Sequence, residues 1–550
     1  MPNCIEGWIE MQKTNEKKDL KKSNIYRIFI ELVAVGSVTG MVVGIIVTFF
    51  NILVHEGERI SRDVYAYVRE NPIFILLLFL TLAAGAFLIG VLANVSSVIR
   101  GCGVPQAEGA TRGMVRIKWW RDMTAMFAAS LISIFMGLSI GAEGPSVLIG
   151  AAAGDGVSAT LKRNQMIRKY QITGGACAGL AVASNAPLTG MAFAFEEAHK
   201  RFTPEVFICA FSSVIFGVLA RTLIYGLLGM EAQSGFHSYV FHEMPIRYYG
   251  FVVLSGIVCG SLGVGFYQLC LLARKLFKKI HVKNEWWTHV SRIMTAVLVG
   301  GVVSLLSVMA MGGGHELIES LGTHGGISTY VAVKTSFGLP LVWALLAVLV
   351  LKLLVTAVNV GSGIPCGIFI PIIAIGACVG GLMNTLWLKI DPDLAPYCDL
   401  MVMICMAAFF ATVVRAPITS IVMICEFTGS FAPLLPVIIA VSIGYIIGEL
   451  SRTDGIYEKL LEEYERETGI HERSERVVFT FTVARGCIAE KREVRDVLWP
   501  SNTRVTEIMR GEEHILPDGG TVLHAGDVLT VIVKTDETEK MKDELLHILG

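Results

Sequence analysis

Gly141-Ala142-Glu143-Gly144-Pro145 is the stretch on which the fold turns. It follows the apolar run Leu131–Ile140 and leads into a second run of small and apolar residues, Ser146–Gly154. A carboxylate between such runs is out of place in lipid, where inserting it costs about 3 kcal/mol. Something must solvate it, use it or keep it protonated. Gly141 and Gly144 flank it and Pro145 follows, the pattern of a loop turning into a helix with proline in its first turn. Glu143 is therefore expected at a helix N-terminus, where free N–H groups and the macrodipole favour negative charge.

The surroundings are those of a membrane protein. Of 550 residues 53% are hydrophobic and 17% charged, and mean hydropathy is +0.61. The 56 glycines lie mostly in long apolar runs, which fits close packing of membrane helices. A net charge of −1 provides no basic field for nucleic acid. The 12 cysteines are scattered without paired ligand spacing, so neither a disulfide framework nor a metal centre is expected, and no cofactor.

Residues 1–24 read as a polar tail without the apolar core of a signal peptide. Lys13, Lys17, Lys18, Lys21, Lys22 and Arg27 precede the first apolar run and favour a cytoplasmic N-terminus. Apolar segments follow at 28–53, 72–95, 120–140, 143–157, 171–184, 188–195 and 203–229. A second set occupies 247–273, 291–311, 339–360, 366–388, 400–414, 417–426 and 434–450, with a polar interval at 312–330. Several are shorter than the ~20 residues that span a bilayer, which points to broken or re-entrant helices around a midplane site.

The two sets repeat. Pro145–Gly154 matches Pro371–Gly380, and Ala186-Pro187-Leu188-Thr189 matches Ala416-Pro417-Ile418-Thr419. Ten residues after each of those alanines stands a glutamate, Glu196 and Glu426. Gly101-Cys102-Gly103-Val104-Pro105 has an echo in Gly361-Ser362-Gly363-Ile364-Pro365. A duplicated membrane unit with halves at about 25–229 and 245–450 is the direct reading, with the site where the halves meet. Charge returns at 451–476, and strand-like Val477–Val483 and Asp527–Val533 then mark a small α+β domain closed by a helix at about 537–549.

Three glycine motifs, 101–105, 141–145 and Gly367-Ile368-Phe369-Ile370-Pro371, are candidates for one anion site made of helix N-termini. Such a site attracts an anion without a full charge, so the anion can leave again. The competing reading is that these glycines only permit tight helix crossings. Glu143 reads as a titrating gate, taking the anion's place when ionised and swinging away when protonated. Glu196 and Glu197, just before Lys200 and Arg201, are expected near the water boundary. Glu196 shares a structural role with Glu426, whereas Glu197 has Phe427 as its counterpart and is assigned to proton handling. Glu108 is read as structural. His315-Glu316-Leu317-Ile318-Glu319 faintly resembles a zinc-protease motif, but it lacks the second histidine and follows Gly312-Gly313-Gly314, a loop signal. His324 is read into the same loop.

These residues resemble the CLC family of chloride channels and chloride/proton antiporters across about 25–470. The motifs at 101–105, 141–145 and 367–371, the block Asn185–Gly190 with Glu196 and Glu197, and Tyr457 carry the resemblance. It implies an all-α polytopic membrane fold with an inverted repeat and re-entrant helices, a homodimer with one pathway per subunit, and cytoplasmic termini. It makes Glu143 the external gating glutamate and Glu197 the internal proton glutamate. Cys102, Gly144, the N–H groups of Ile368 and Phe369, and the Tyr457 hydroxyl become anion-binding. Two residues depart from the family pattern: Cys102 replaces the usual Ser, and Ala142 the usual Arg. Both bear on anion choice and attraction. Residues 476–550 resemble the TrkA-C (RCK-C) ligand-binding module of potassium-uptake regulators, through Val505–Gly511, Pro517 and Ala525-Gly526-Asp527.

The expectation is a chloride/proton antiporter of the cell's inner membrane, in contact with lipid and regulated by a small ligand at its C-terminal domain. The alternatives are a passive channel or a fluoride/proton antiporter of the same family, an intramembrane metalloprotease built on His315, and a membrane ligand sensor acting through 476–550.

Overall fold

A computed structural model describes residues 2–550 except 164, 201, 231–235, 237–238, 323–339, 432, 469–474, 501–502, 512 and 536–537. Side chains at 2–28, 165–166, 475–476, 534–535 and 538–540 are also outside the description. His324, Arg201 and part of the polar interval at 312–330 thus lie outside the described residues.

The first half contains α1 (Pro2–Glu70), α2 (Ile75–Val95), α3 (Val104–Thr111), α4 (Trp119–Phe135), α5 (Glu143–Thr160), α6 (Gln165–Ser184), α7 (Pro187–Phe193) and α8 (Pro204–Leu228). The second contains α9 (Tyr249–Lys278), α10 (Glu285–Leu306), α11 (His315–Leu321), α12 (Leu341–Ser362), α13 (Phe369–Ile390), α14 (Cys398–Val414), α15 (Pro417–Thr428) and α16 (Leu434–Leu450). Among the described residues, eight helices are long and apolar enough to cross a membrane. The apolar stretch of α2 is 33% buried, whereas those of α13 and α14 exceed 80%. The latter two therefore form the interior, and helices such as α2 leave leucine and phenylalanine exposed on the outer face.

Proline and glycine set the short pieces. Pro105, Pro187 and Pro417 each occupy the first turn of a helix, where the missing N–H costs nothing. The segment expected as a loop at 315–319 is instead the first turns of α11, and the three glycines before it form the actual loop.

How the halves are related, which the spacing of repeats leaves open, is decided by two seams. Gly141 and Gly367 face each other as an antiparallel bridge, with Gly141 N–H donating to Gly367 O (2.7 Å) and Gly367 N–H to Gly141 O (3.2 Å). The loops entering α5 and α13 thus pair reciprocally. At the second seam, Glu426 in the last turn of α15 accepts from the N–H groups of Leu188 and Thr189 (both 2.8 Å) and from Thr189 Oγ1 (2.6 Å). Glu196 after α7 accepts in turn from the N–H groups of Ile418 (2.9 Å) and Thr419 (2.6 Å). The end of each helix caps the start of the other, so α7 and α15 run antiparallel. Equivalent helices with opposite direction mean an inverted repeat.

Helix α17 (Ile456–Thr468) closes the membrane unit by packing against α3 and α14. Beyond it β1 (Glu475–Thr482), β2 (Thr503–Arg510), β3 (Glu513–Ile515) and β4 (Val528–Thr535) form an antiparallel sheet in the order β1-β4-β2-β3, with α18 (Thr538–Leu549) against it. Its core is Ile508, Leu529, Val531, Val533, Leu545 and Leu549. The domain docks on the starts of α6 and α8 through an ion pair from Arg492 to the nearly buried Glu205, and through Lys169 and Glu544 at 3.5 Å. Leu498 packs against the membrane core.

Candidate functional site

The three glycine motifs meet. A Cβ on Gly144 would stand 2.3 Å from Cys102 O and 2.9 Å from Gly367 Cα, and one on Gly367 would stand 2.4 Å from Gly141 O. Only glycine allows the loops before α3, α5 and α13 to approach this closely. Cys366 N–H donates to Gly101 O at 3.2 Å and ties the first loop to the third. Three helix starts, at Val104, Glu143 and Phe369, are thereby gathered in the protein interior, each with free N–H groups and a positive dipole end.

Glu143 is the first residue of α5, and its side chain is 3% exposed. The carboxylate folds back toward its own N–H and over Gly141, where a Cβ would lie 2.5 Å from Oε2. Oε2 is buried without a hydrogen-bond partner among the described residues. Above the carboxylate opens a vestibule of about 410 Å³. Arg59, Arg62 and Arg221 line it, so cations from α1 and α8 share the vestibule with Glu143 although residue 142 is alanine. His315 also lines it, with Nε2 4.0 Å from Glu143 Oε1.

Tyr457, at the start of α17, lies on the other side. Its hydroxyl is buried without a hydrogen-bond partner among the described residues, within electrostatic range of Cys102, Glu197, Glu108 and Glu143. A buried hydroxyl left without a partner beside several helix N-termini is a donor aimed at something that the protein does not supply. Tyr457, Phe369 and Glu197 border a cavity of about 10 Å³, with Val104, Phe193 and Phe410 completing much of its wall. That volume admits about one water.

Glu197 is not at the water boundary, where it was expected; it is 6% exposed. The glutamates sit on a π-helical turn, Ala194–Ala198, that extends α7, and as neighbours on a helix they point to different faces. Glu196 points to α15 and caps it; Glu197 points inward to stand beside Glu108 on α3. Arg112 holds the pair from the aqueous side, with its guanidinium 3.5 Å from Glu108 and donating to Glu197 O at 2.9 Å. Glu108, read from sequence as structural, is thus in contact with the residue assigned to protons. Its sequence signal was a carboxylate on a short helix otherwise without acidic side chains.

The geometry is therefore a vestibule with a buried carboxylate at its floor, a knot of helix starts below, and a carboxyl pair beyond an unpartnered tyrosine hydroxyl. His315 is the feature missed by sequence reasoning, because α11 reaches Glu143 only through the tertiary fold. No group of three or more potential metal-ligating side chains occurs among the described residues, and His315 faces Glu143.

Comparison with known proteins follows the same division. Residues 84–449 match the family described as voltage gated chloride channel, and residues 478–546 match the TrkA-C domain. The H(+)/Cl(-) exchange transporter ClcA of Vibrio cholerae serotype O1 is 32% identical over 372 residues, covering 66% of this chain and 74% of that protein. ClcA of Vibrio vulnificus is 28% identical over 445 residues, covering 78% and 89%. Among solved structures, a slow cyanobacterial Cl-/H+ antiporter superposes with a TM-score of 0.70 at 23% identity, over 80% of this chain and 99% of that one. A CLC-type fluoride/proton antiporter superposes with a TM-score of 0.60 at 19% identity, over 78% and 97%. At these identities the structures speak for the fold. The inverted repeat, the glycine knot around Glu143 and the match over residues 84–449 lead to one conclusion: this chain is a multi-pass membrane protein of the voltage gated chloride channel (CLC) family that carries a TrkA-C domain.

Proposed function

We propose that the protein exchanges chloride for protons across the cell membrane, as the ClcA relatives' name describes for them. The observation that carries this reading is the pair of buried carboxyl sites, Glu143 under the vestibule and Glu197 beyond Tyr457, with an anion-attracting knot of helix N-termini between them. A passive pore has no need of the second carboxylate in a dry interior, where an unused one is costly.

In this reading the anion sits between the loops of Cys102 and Gly144, the N–H groups of Ile368 and Phe369, and the Tyr457 hydroxyl. Ionised Glu143 competes with the anion for the helix starts; protonation removes that competition and lets the side chain swing into the vestibule. Glu197, with Glu108 beside it, passes protons between the cytoplasm and the gate. Both termini are cytoplasmic, the chain resides in the inner membrane in contact with lipid, and it works as a homodimer. The docked TrkA-C domain regulates it, through a small ligand.

The test is reconstitution into liposomes with simultaneous recording of chloride and pH, repeated with nitrate, bromide and fluoride. Wild type should move protons uphill against a chloride gradient. Glu143→Gln and Glu197→Gln should each lose proton movement while chloride flux continues. Uphill proton movement surviving in Glu143→Gln would overturn the gate assignment.

A further inference from the structure

We propose that His315 is the proton relay between the vestibule and the gate, a role that rests on Glu143 being the gating carboxylate. The sequence offered His315 only as half of a metal motif; the fold puts it to another use. Its Nε2 stands 4.0 Å from Glu143 Oε1, and the two side chains differ sharply in access. The His315 side chain is 41% exposed and that of Glu143 is 3%. The buried carboxylate has little surface from which to exchange a proton with water, and the imidazole beside it has a great deal.

The position is built. Gly314 has φ +108°, a conformation suited to glycine, and a Cβ there would lie 2.5 Å from Ala374 Cβ. Below the loop, Lys352 Nζ donates to Gly312 O (2.7 Å), Met311 O (3.3 Å) and Ala310 O (3.4 Å). Tyr239 donates its hydroxyl to Ile318 O at 2.6 Å and fixes the body of α11. The Phe236 ring, 6.0 Å from the imidazole between centroids, forms one wall. These contacts hold the ring at the mouth of the gate.

The charges around it come from four other elements. Glu143 faces it from α5 and Lys352 from α12. His55, Glu58 and Arg62 face it from α1, Arg221 from α8, and Glu316 and Glu319 from its own helix. Arg59 and Glu56 pair with each other at 2.5 Å on the rim. Glu143 is the carboxylate paired with His315, and Arg62 is paired with Glu316 at 3.0 Å.

The transfer balances simply. The imidazolium gives its Nε2 proton to Glu143 Oε1 through one bridging water or a modest rotation of either side chain. The ring then takes a proton from vestibule water, and neutral imidazole can both donate and accept. No bond other than O–H and N–H changes. Burial and the nearby Lys352 favour the neutral ring, so the imidazolium is the transient form and readily hands its proton to the carboxylate.

The experiment is coupled flux from liposomes containing wild type, His315→Gln, His315→Ala and Glu143→Gln, with the vestibule-side pH varied from about 4.5 to about 8. Above neutral pH His315→Gln should turn over about a hundredfold more slowly than wild type, the low end of what a positioned acid–base group supplies. Near the acid limit, where hydronium is plentiful, the two should converge, which also demonstrates folded protein. Millimolar imidazole in the vestibule-side buffer should restore His315→Ala at the higher pH. Superimposable pH profiles for wild type and His315→Gln, or slowing that is equal at every pH and insensitive to imidazole, would overturn the relay. Loss of proton movement in Glu143→Gln together with either result would leave the gate reading standing; retained proton movement there would remove the gate reading itself.

Discussion

Replacing Glu426 with alanine tests the seam that makes the repeat inverted. Three hydrogen bonds end on this half-buried carboxylate, from Leu188 N–H (2.8 Å), Thr189 N–H (2.8 Å) and Thr189 Oγ1 (2.6 Å). Its counterpart Glu196 receives two, from Ile418 N–H (2.9 Å) and Thr419 N–H (2.6 Å). A buried hydrogen bond to a charged acceptor contributes about 1.5–3 kcal/mol, and an exposed helix cap about 0.5–2 kcal/mol. Both sites are partly open to water, which can take over some of the bonds. The expected loss is therefore about 2–3 kcal/mol for Glu426→Ala and about 1–2 kcal/mol for Glu196→Ala. Unfolding of the purified protein in mixed micelles, titrated with denaturing detergent and followed by circular dichroism, reads the difference. Neither glutamate lies in the proposed pathway, so the ratio of chloride to proton flux should remain that of wild type. The reasoning fails if Glu426→Ala unfolds within about 0.5 kcal/mol of wild type, the range of an ordinary surface change. It also fails if Glu196→Ala is the weaker of the two.

Two further outcomes are expected. Cys102→Ser puts a stronger donor at the loop beside Gly144, and should change the relative fluxes of chloride, nitrate and bromide; identical ratios would mean that this side chain does not touch the ion. In the C-terminal domain, partial burial works against the charge on Asp527, but two Arg510 hydrogen bonds (both 2.8 Å) and the His524 N–H (2.8 Å) outweigh it and hold the carboxyl below its ordinary value of 3.8. A depressed carboxylate stabilises above its unfolded value and loses that contribution as pH falls through the folded one. Hydrogen exchange across 475–550 in the full-length protein should therefore accelerate below about pH 4. Asp527→Asn should be faster already at neutral pH, and an acid acceleration of the same size in that variant would refute the assignment.

Much of the architecture was written in spacing. Apolar runs of the right length, prolines at helix starts and paired motifs half a chain apart are local properties, and each has a local physical cause. So was the position of Glu143, a carboxylate after an apolar run, which needs no contact map; Tyr457 was singled out only by the family resemblance. The sheet was half legible. Val477–Val483 and Asp527–Val533 carry strand composition, whereas Thr503–Arg510, with charged residues and a bulge between Val505 and Glu507, does not alternate cleanly.

What the tertiary structure alone decided is direction and company. A repeat in sequence is the same whether its copies run parallel or inverted; the reciprocal caps of Glu196 and Glu426 join residues more than 220 positions apart, and only they choose. Two adjacent glutamates look alike on paper, and the packing around their turn gives one to a helix cap and sets the other beside Glu108. The glycine stretch at 141–145 announced a carboxylate at a helix start because that rests on backbone chemistry within five residues. That His315 would stand beside this carboxylate, and Arg59, Arg62 and Arg221 would share its vestibule, depended on packing between elements far apart in the chain, which periodicity along one chain does not encode.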